Sequence, residues 1–232
     1  MDHDLIKAFY DSDYYRSAQA AELPWHQKRV IADLGDLRGK RILDIACGTG
    51  DAMAFFAAGG AKVAGIDISK KAIEVCRGRL PEADVRVGIA ESLPFANASF
   101  DHVVCFGSLE HFLDQPMALT EMRRVLNDSS GSILVLVPNA GFLTRRLGFY
   151  AGTNQSGVRE TLLSIAQWRT MLEAAGLRID GMFRDLRPLS AAWINRGGMG
   201  SRLVRALQAC ALALWPMAWQ YQIYFRCRKD SG

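Results

Sequence analysis

Residues 41–51 form the stretch of the sequence that is most informative about chemistry. They read RILDIACGTGD, an apolar strand that runs into a Gly-x-Gly turn at the start of a helix. Glycine suits such a turn because it adopts backbone angles that other residues avoid, and because its missing Cβ lets a ligand approach the backbone. Asp67 lies 17 positions beyond Gly50, where its carboxylate is placed to accept hydrogen bonds from ribose hydroxyls. The pattern predicts a nucleoside cofactor across the ends of the first two strands.

The residues beside the turn narrow the identity of this nucleoside. A dinucleotide site requires a third glycine at the position occupied here by Met53, and it binds a pyrophosphate at the helix N-terminus. Asp51 occupies that point, and its carboxylate would repel a pyrophosphate. S-adenosylmethionine carries no phosphate, and its ammonium and sulfonium cations are attracted to acidic neighbours. The sequence contains no Gly-Lys-Ser or Gly-Lys-Thr, which excludes a Walker-type phosphate loop.

A second candidate group, SLEHF at residues 108–112, follows the fourth apolar run. It is expected at the carboxyl end of a strand, where open α/β sheets bind ligands. His111 is therefore the first candidate for a general base or an acceptor-positioning residue, and the alternative is that it only contacts the cofactor or stabilises the loop. No metal site is predicted, because the five cysteines are scattered and form no Cys-x-x-Cys pair.

The elements that must position these residues can be predicted from the alternation of apolar runs and helical segments, which indicates an α/β fold with a mostly parallel sheet. Strands are predicted at residues 41–46, 62–66, 85–89, 102–106, 132–137, 177–183 and 222–228. Helices are predicted at residues 25–34, 52–58, 70–79, 117–125 and 165–175. His26, on the first of these helices, is interpreted as a surface or structurally satisfied histidine.

The two halves of the chain differ in charge. The composition is otherwise ordinary for a globular protein, with 232 residues, 50% of them apolar and 22% charged, which is enough for one sizeable core. Residues 1–130 contain 15 basic and 19 acidic residues, whereas residues 131–232 contain 13 and 5. The second half therefore favours an anionic partner such as a phosphate-bearing substrate or a lipid surface. The alternative is that its arginines only lie on solvent-exposed helix faces.

Several segments together resemble the class I S-adenosylmethionine-dependent methyltransferases, in particular the branch that includes the ubiquinone and menaquinone biosynthesis enzymes. In the family's order and spacing, they are LDIACGTG at 43–50, VAGIDIS at 63–69, AESLPF at 90–95, SFD at 99–101, and EMRRVL at 121–126 leading to Gly131. The resemblance implies a Rossmann-like, seven-stranded, mostly parallel sheet with helices on both faces and a last antiparallel strand. Length and composition predict one domain over residues 1–232, and the connection lengths predict two insertions in it.

The resemblance implies roles for individual residues as well. Residues 48–50 would pack against the methionine portion of S-adenosylmethionine, Asp44 would help to hold its amino group, and Asp67 would bind its ribose. One departure is Ile89, which stands where the family usually has an aspartate that touches the adenine amino group. Adenine is then expected to be held by backbone groups and apolar packing. The full set of expected cofactor contacts is Asp44, Ala46, Gly48, Thr49, Gly50, Asp67, Ile68, Ala90, Glu91, Phe106 and Tyr14.

Long connections surround the predicted core of residues 41–138. Residues 1–40 are expected to form an N-terminal helical lid, in which Tyr14 and its neighbouring tyrosines close over the cofactor or pack in the core. Residues 139–163 and 186–219 are expected to be acceptor-side insertions, because connections this long usually serve a function. Within the second, residues 203–219 are strongly apolar, with arginines before them and tryptophans at their end. This pattern favours an interfacial helix or a lid for an apolar substrate, with packing on its own domain or a homodimer contact as alternatives.

The function expected from these features is methyl transfer from S-adenosylmethionine to a small-molecule or lipid-linked acceptor. A nucleic-acid methyltransferase is one alternative, since the basic second half permits it, although no RNA-binding module or Asn-Pro-Pro-Tyr motif is present. A catalytically silent cofactor-binding protein is the other. The scattered cysteines and the lack of an apolar run of about 18 residues favour a cytoplasmic protein, or one held peripherally at the inner face of a membrane.

Overall fold

Seven strands form a single sheet in the computed structural model, which describes residues 3–15, 19–128, 131–148, 160–212 and 214–230. The strands are β1 Arg41–Ile45, β2 Lys62–Asp67, β3 Asp84–Val87, β4 His102–Phe106, β5 Ser132–Pro138, β6 Leu177–Arg184 and β7 Gln222–Lys229. Their order across the sheet is β3-β2-β1-β4-β5-β7-β6. Only β7 runs antiparallel to its neighbours β5 and β6. The predicted α/β architecture, with a last antiparallel strand in a mostly parallel sheet, is confirmed.

Helices cover both faces of this sheet. They are α1 His3–Phe9, α2 Trp25–Ile31, α3 Asp51–Ala58, α4 Lys70–Arg79, α5 Gln115–Val125, α6 Leu143–Arg146, α7 Ile165–Ala174, α8 Ala191–Ile194 and α9 Met199–Ala211. Local sequence fixes several helix starts. The Ser69 hydroxyl accepts a hydrogen bond from the Ala72 N–H at 3.2 Å, which caps α4. Ser164 and Gln167 form a capping box at the start of α7.

The core consists of apolar layers on the two faces of the sheet, and β5 connects them. All seven residues of β5 are buried, as expected for a central strand of a parallel sheet. Ile133 and Val135 pack with Leu119 of α5 and Trp168 of α7. The alternate residue Leu134 packs in the other layer, which contains α2 and α3 residues. Because alternate side chains of a strand point to opposite faces, the helices are divided between the two sides.

The structure corrects the predicted end of the third strand and gives bounds to the helix in the second insertion. The third strand ends at Val87 and not at Ile89, because residues 88 and 89 turn away from the sheet and line a cavity at its edge. The apolar helix of the second insertion begins at Met199 and ends at Ala211. The helix therefore begins four residues before the apolar run at Leu203, and its first turn contains Gly200 and Ser201. In the first insertion, residues 149–159 lie outside the described part of the chain.

No helix among the described residues combines the length and apolar character needed to cross a bilayer.

Candidate active site

Asp67 connects the end of β2 to the glycine turn that follows β1. One of its carboxylate oxygens accepts the Gly48 N–H at 2.9 Å, and the other accepts the Ser69 N–H at 2.9 Å. The side chain is 4% exposed, and burial raises its pKa to about 6, while these two N–H donors oppose the rise. Asp67 therefore connects the turn after β1 to the residue that precedes α4. Its carboxylate faces the space between these two segments.

The turn itself requires glycine. The backbone angle φ is 57° at Ala46, 54° at Gly48 and 80° at Gly50, all in the left-handed region. A Cβ atom on Gly50 would lie 2.5 Å from the sulfur of Cys76 in α4. A Cβ atom on Gly48 would lie 2.8 Å from the Tyr15 hydroxyl oxygen. Both conformation and space thus exclude larger side chains at these glycines, as the sequence pattern predicts.

A cavity opens beside this turn, at the carboxyl ends of β1, β2 and β4. The residues from the predicted set that line it are Ala46, Asp67, Ile68, Ala90, Glu91, Tyr14 and His111. Among the described residues around the cavity, Asp67 and Glu91 are acidic, and none is lysine or arginine. Such a lining suits a cationic ligand without phosphate groups, because a pyrophosphate would meet carboxylates and no basic side chain. The ammonium and sulfonium groups of S-adenosylmethionine fit this charge pattern.

The N-terminal segment covers one side of the cavity. The Asp11 carboxylate accepts a hydrogen bond from the Ser69 hydroxyl at 2.6 Å, which fastens the segment to the start of α4. His3 lies 3.6 Å from the Glu91 carboxylate. Tyr10 and Tyr15 line the cavity with Tyr14, and burial raises the pKa of the Tyr10 and Tyr15 hydroxyls, so that both remain neutral at physiological pH.

Comparison with known proteins assigns the family. The Methyltransferase domain family matches residues 43–135. A Mycolicibacterium smegmatis protein named "Probable S-adenosylmethionine-dependent methyltransferase" is 33% identical over 178 residues, which cover 76% of this chain and 67% of that protein. The chain belongs to the S-adenosylmethionine-dependent methyltransferases. The demethylmenaquinone methyltransferase of Thermotoga maritima is 32% identical over 55% of this chain and 58% of its own length.

Comparison with solved structures shows that this methyltransferase shares its fold with known proteins. The YcgJ protein of Bacillus subtilis superimposes with a TM-score of 0.60 at 22% identity, over 90% of this chain and 99% of that one. Alignments with the curated relatives extend over 41 to 67% of their length. The chain thus spans less than two thirds of most of these relatives.

Other residues predicted for the methyltransferase site lie around the cavity without lining it. Gly48, Thr49 and Gly50 form the adjacent turn, and burial raises the pKa of the Asp44 carboxyl well above its usual range. Phe106 packs edge-on against Tyr224, with ring centroids 6.0 Å apart, and is not among the cavity-lining residues. The carboxylate of Asp51 is paired with Arg79 at 2.5 Å, so part of the negative charge expected at the turn is neutralised.

Sequence reasoning missed two buried carboxyl groups and misread one histidine. Glu110 is 4% exposed, and burial raises its pKa to about 8. Asp185 directly follows β6, and a carboxylate at the carboxyl end of a parallel strand was a signal for a ligand-facing residue. His26 is neither on the surface nor satisfied by a close hydrogen bond, because it is 8% exposed and its Nδ1 lies 3.5 Å from the Asp185 carboxylate. No sequence signal indicated that α2 would bring His26 to this position.

Proposed function

We propose that the chain binds S-adenosylmethionine in the cavity and transfers the cofactor's methyl group to an apolar small molecule. The acidic, phosphate-excluding lining around Asp67 is the observation that carries this proposal. Asp67 accepts the ribose hydroxyls, the turn of residues 48–50 packs against the methionine portion with Asp44 beneath it, and Ala90 and Glu91 lie along the adenine. The bound cofactor supplies an electrophilic methyl group, and the protein contributes chiefly alignment of the acceptor.

The acceptor occupies a groove formed largely by the second insertion. The groove has a volume of about 750 Å³, and its lining includes Trp193, Trp215 and Trp219. Gln222 also lines the groove. A Cβ atom added to Gly107 would lie 3.8 Å from the side-chain amide nitrogen of Gln222, so the two residues are close together. Because Gly107 lines the cofactor cavity, the groove and the cavity are neighbours. Aromatic walls favour an apolar or aromatic acceptor.

The proposed activity can be tested with tritiated S-adenosylmethionine and fractions of a cell extract. Label is expected in a lipid or small-metabolite fraction. Label confined to RNA would favour the nucleic-acid alternative, and cofactor binding without transfer to any fraction would favour a silent binding protein.

His111 is proposed to position the acceptor next to the cofactor. It lines the cavity together with Gly107 and Ser108, so its loss is expected to misalign the reacting groups. His111→Ala should lower turnover by about 10- to 100-fold and change cofactor affinity little. His102→Ala is the control, because His102 is a buried histidine at the opposite end of β4, hydrogen-bonded to Ser132. Unchanged turnover in His111→Ala would assign the histidine to the loop alone.

Helix α9 is proposed to contact an anionic membrane surface. Met199, Leu203 and Leu207 recur at helical spacing in α9 and are between 63 and 89% exposed, and Leu214, which follows the helix, is 90% exposed. Residues 186–219 contain four arginines and no acidic residue. An exposed apolar stripe beside basic residues and tryptophans is typical of an interfacial helix. Two copies of such a basic segment would repel each other, which favours anionic lipid over a homodimer.

Flotation with vesicles that contain anionic lipid tests the membrane contact. The double variant Leu207→Glu/Leu214→Glu should bind about tenfold more weakly or worse, since burying one leucine is worth about 1.5 to 3 kcal/mol. Leu147→Glu is the control, because Leu147 is 57% exposed outside the stripe. If the wild type does not float and light scattering reports a dimer, the stripe is a subunit contact instead.

A further inference from the structure

Arginines line the acceptor groove and give it a charge opposite to that of the cofactor cavity. Arg187, Arg196 and Arg205 lie along its wall, and Asp185 is the acidic side chain among the described residues there. The cofactor cavity, in contrast, is lined by carboxylates and, within the described part of the chain, by no lysine or arginine. Neighbouring sites of opposite charge separate a cationic ligand from an anionic one, because each site repels the ligand of the other.

Two of these arginines have a guanidinium that is available to a ligand. The side chains of Arg187 and Arg196 are exposed, and neither makes a hydrogen bond or an ion pair with another described residue. Arg205 differs, because its guanidinium donates to the Trp193 carbonyl at 2.8 Å and lies 4.9 Å from the centroid of the Trp193 ring. Arg205 therefore fixes the tryptophan, and the other two arginines can bind an anion.

The carboxylate in the groove does not cancel these positive charges. Asp185 is 7% exposed, and its carboxylate accepts the Arg187 N–H at 2.9 Å and lies 3.5 Å from the imidazole of His26. Burial raises the pKa of the Asp185 carboxyl, which can only reduce its negative charge. Three arginines less one carboxylate leave the described lining with a net charge of at least +2.

Aromatic surfaces adjoin Arg187 and Arg196. Trp193 lines the groove with them, and the same three residues also line the pocket beside it. Trp215 and Trp219 form an edge-to-face pair along the groove, with ring centroids 5.8 Å apart. Tryptophan faces stack on flat apolar groups, and a guanidinium matches the paired oxygens of a carboxylate or phosphate. The groove therefore suits a molecule that has both an apolar body and an anionic group.

Helix α9 presents different sides to the groove and to solvent. Ser201, Arg205 and Gln208 line the groove, and residues spaced three or four positions apart share one side of a helix. The exposed apolar stripe proposed to contact a membrane lies on another side of the same helix. The groove, with its volume of about 750 Å³, is of the size that holds one small molecule. These features favour a soluble acid over a lipid headgroup as its ligand.

We infer that the acceptor is an amphipathic acid, in which a flat apolar body carries a carboxylate or phosphate that Arg187 and Arg196 bind. This inference rests on the proposed methyltransferase function, and it narrows the apolar acceptor to one with an anionic group. The apolar body stacks on the groove tryptophans. Gln222 lines the groove and lies close to Gly107 of the cofactor cavity, so a bound acid is next to the cofactor.

Calorimetry with 2-naphthoate and 2-naphthamide tests the requirement for a negative charge. The probes share one ring system, but only naphthoate is anionic at neutral pH. In the presence of S-adenosylhomocysteine, the wild type should bind naphthoate about tenfold more tightly than naphthamide, and added salt should reduce this preference. A third probe, 2-naphthyl phosphate, shows which anionic group binds better. Equal affinity for naphthoate and naphthamide, or binding of neither, would overturn the inference.

Substitution of the arginines tests which residues bind the anion. Arg187→Gln and Arg196→Gln should each weaken naphthoate binding by about three- to tenfold and change naphthamide binding little. Arg202→Gln is the matched control, because Arg202 belongs to the same insertion but does not line the groove, and its guanidinium donates to the Gly197 carbonyl at 3.0 Å. If the preference survives in the double variant Arg187→Gln/Arg196→Gln, or if Arg202→Gln lowers it equally, overall charge is responsible and the inference is wrong.

Two further measurements identify where the probe binds and what it represents. Trp215→Ala should weaken the binding of naphthoate and naphthamide by similar factors, since both rings stack in the groove. Flotation with anionic vesicles should be unaffected by saturating naphthoate. If naphthoate instead displaces the chain from the vesicles, the arginines bind lipid headgroups, and a soluble acid is not their ligand.

Competition connects the anion site to methyl transfer. Naphthoate should inhibit the transfer of label from S-adenosylmethionine to extract acceptors, and naphthamide should inhibit it about tenfold less effectively. Transfer that naphthoate does not inhibit would overturn this inference and leave the proposed function standing. Loss of cofactor binding in the wild type, or transfer to no fraction of the extract, would overturn the function itself.

Discussion

Asp67→Ala should weaken the binding of S-adenosylmethionine and S-adenosylhomocysteine by about 1 to 3 kcal/mol, or roughly 5- to 150-fold. The carboxylate is proposed to accept the ribose hydroxyls, and it accepts the Gly48 and Ser69 N–H groups. Alanine removes both interactions and leaves two buried donors unpaired. Calorimetry with each nucleoside measures the loss directly.

Asp101→Ala is a matched control for this substitution. The Asp101 carboxylate also bridges neighbouring segments, because it accepts the Arg41 N–H at 2.8 Å. It precedes β4, at the amino end of the strand and away from the cavity. Asp101→Ala should therefore lower the free energy of unfolding without changing cofactor affinity. Equal affinity in Asp67→Ala and the wild type, or tight binding of NADH by the wild type, would contradict the assigned site.

The raised pKa of Asp67 makes both the stability of the chain and its cofactor affinity depend on pH. Its pKa rises from 3.8 to about 6 in the folded chain without ligand, so the protonated form is the one that folding favours. The contribution of Asp67 to stability is therefore present at low pH and is lost as pH rises toward about 6. Cofactor binding has the opposite dependence, because the ionised carboxylate attracts the cationic ligand. Affinity should fall below about pH 6 in the wild type, and Asp67→Asn should remove this dependence.

Much of the fold could be predicted from local sequence because buried parallel strands are nearly continuous apolar runs. The run at residues 132–137 is fully buried in β5, and the start and end of β4 were predicted to the residue. The glycine turn after β1 was predictable for a related reason, since its backbone geometry requires glycines and Asp67 accepts the Gly48 N–H. The third strand was predicted too long because Gly88 and Ile89 continue an apolar run, although their role is to line the cavity.

The acceptor side could not be predicted in this way because it depends on contacts between distant segments. His26 and Asp185 are 159 positions apart, and they meet only because α2 packs beside the carboxyl end of β6. Nothing in the residues around His26 distinguishes a buried histidine from a surface one. The same holds for Asp51, whose pairing with Arg79 depends on how α3 and α4 pack. Local patterns predicted the conformation of the glycine turn, whereas contacts between distant segments became apparent only in the folded chain.

Gly50→Ala should destabilise the chain strongly and disrupt the cofactor turn. A left-handed backbone costs about 1 to 2 kcal/mol for a non-glycine residue, and the added Cβ would lie 2.5 Å from the Cys76 sulfur, which adds about 1 to 3 kcal/mol of overpacking. Gly39→Ala isolates the first cost, because Gly39 has φ of 72° and nothing lies within 4 Å of an added Cβ. Urea denaturation of both variants should separate the two contributions.

The contact with Cys76 provides a second-site test of the same argument. Cys76→Ala removes the sulfur, and the nearest atoms to the new Cβ are then at 3.4 and 3.5 Å, which is ordinary contact. The double variant Gly50→Ala/Cys76→Ala should therefore be more stable than the sum of the single effects predicts, and it should recover part of the cofactor affinity. Because α4 carries Cys76 and Asp67 directs the entry into that helix, recovery would show that the spacing between the turn and α4 controls the shape of the cofactor site. Strict additivity of the two substitutions, or equal destabilisation by Gly39→Ala and Gly50→Ala, would show instead that backbone conformation alone requires glycine at this turn.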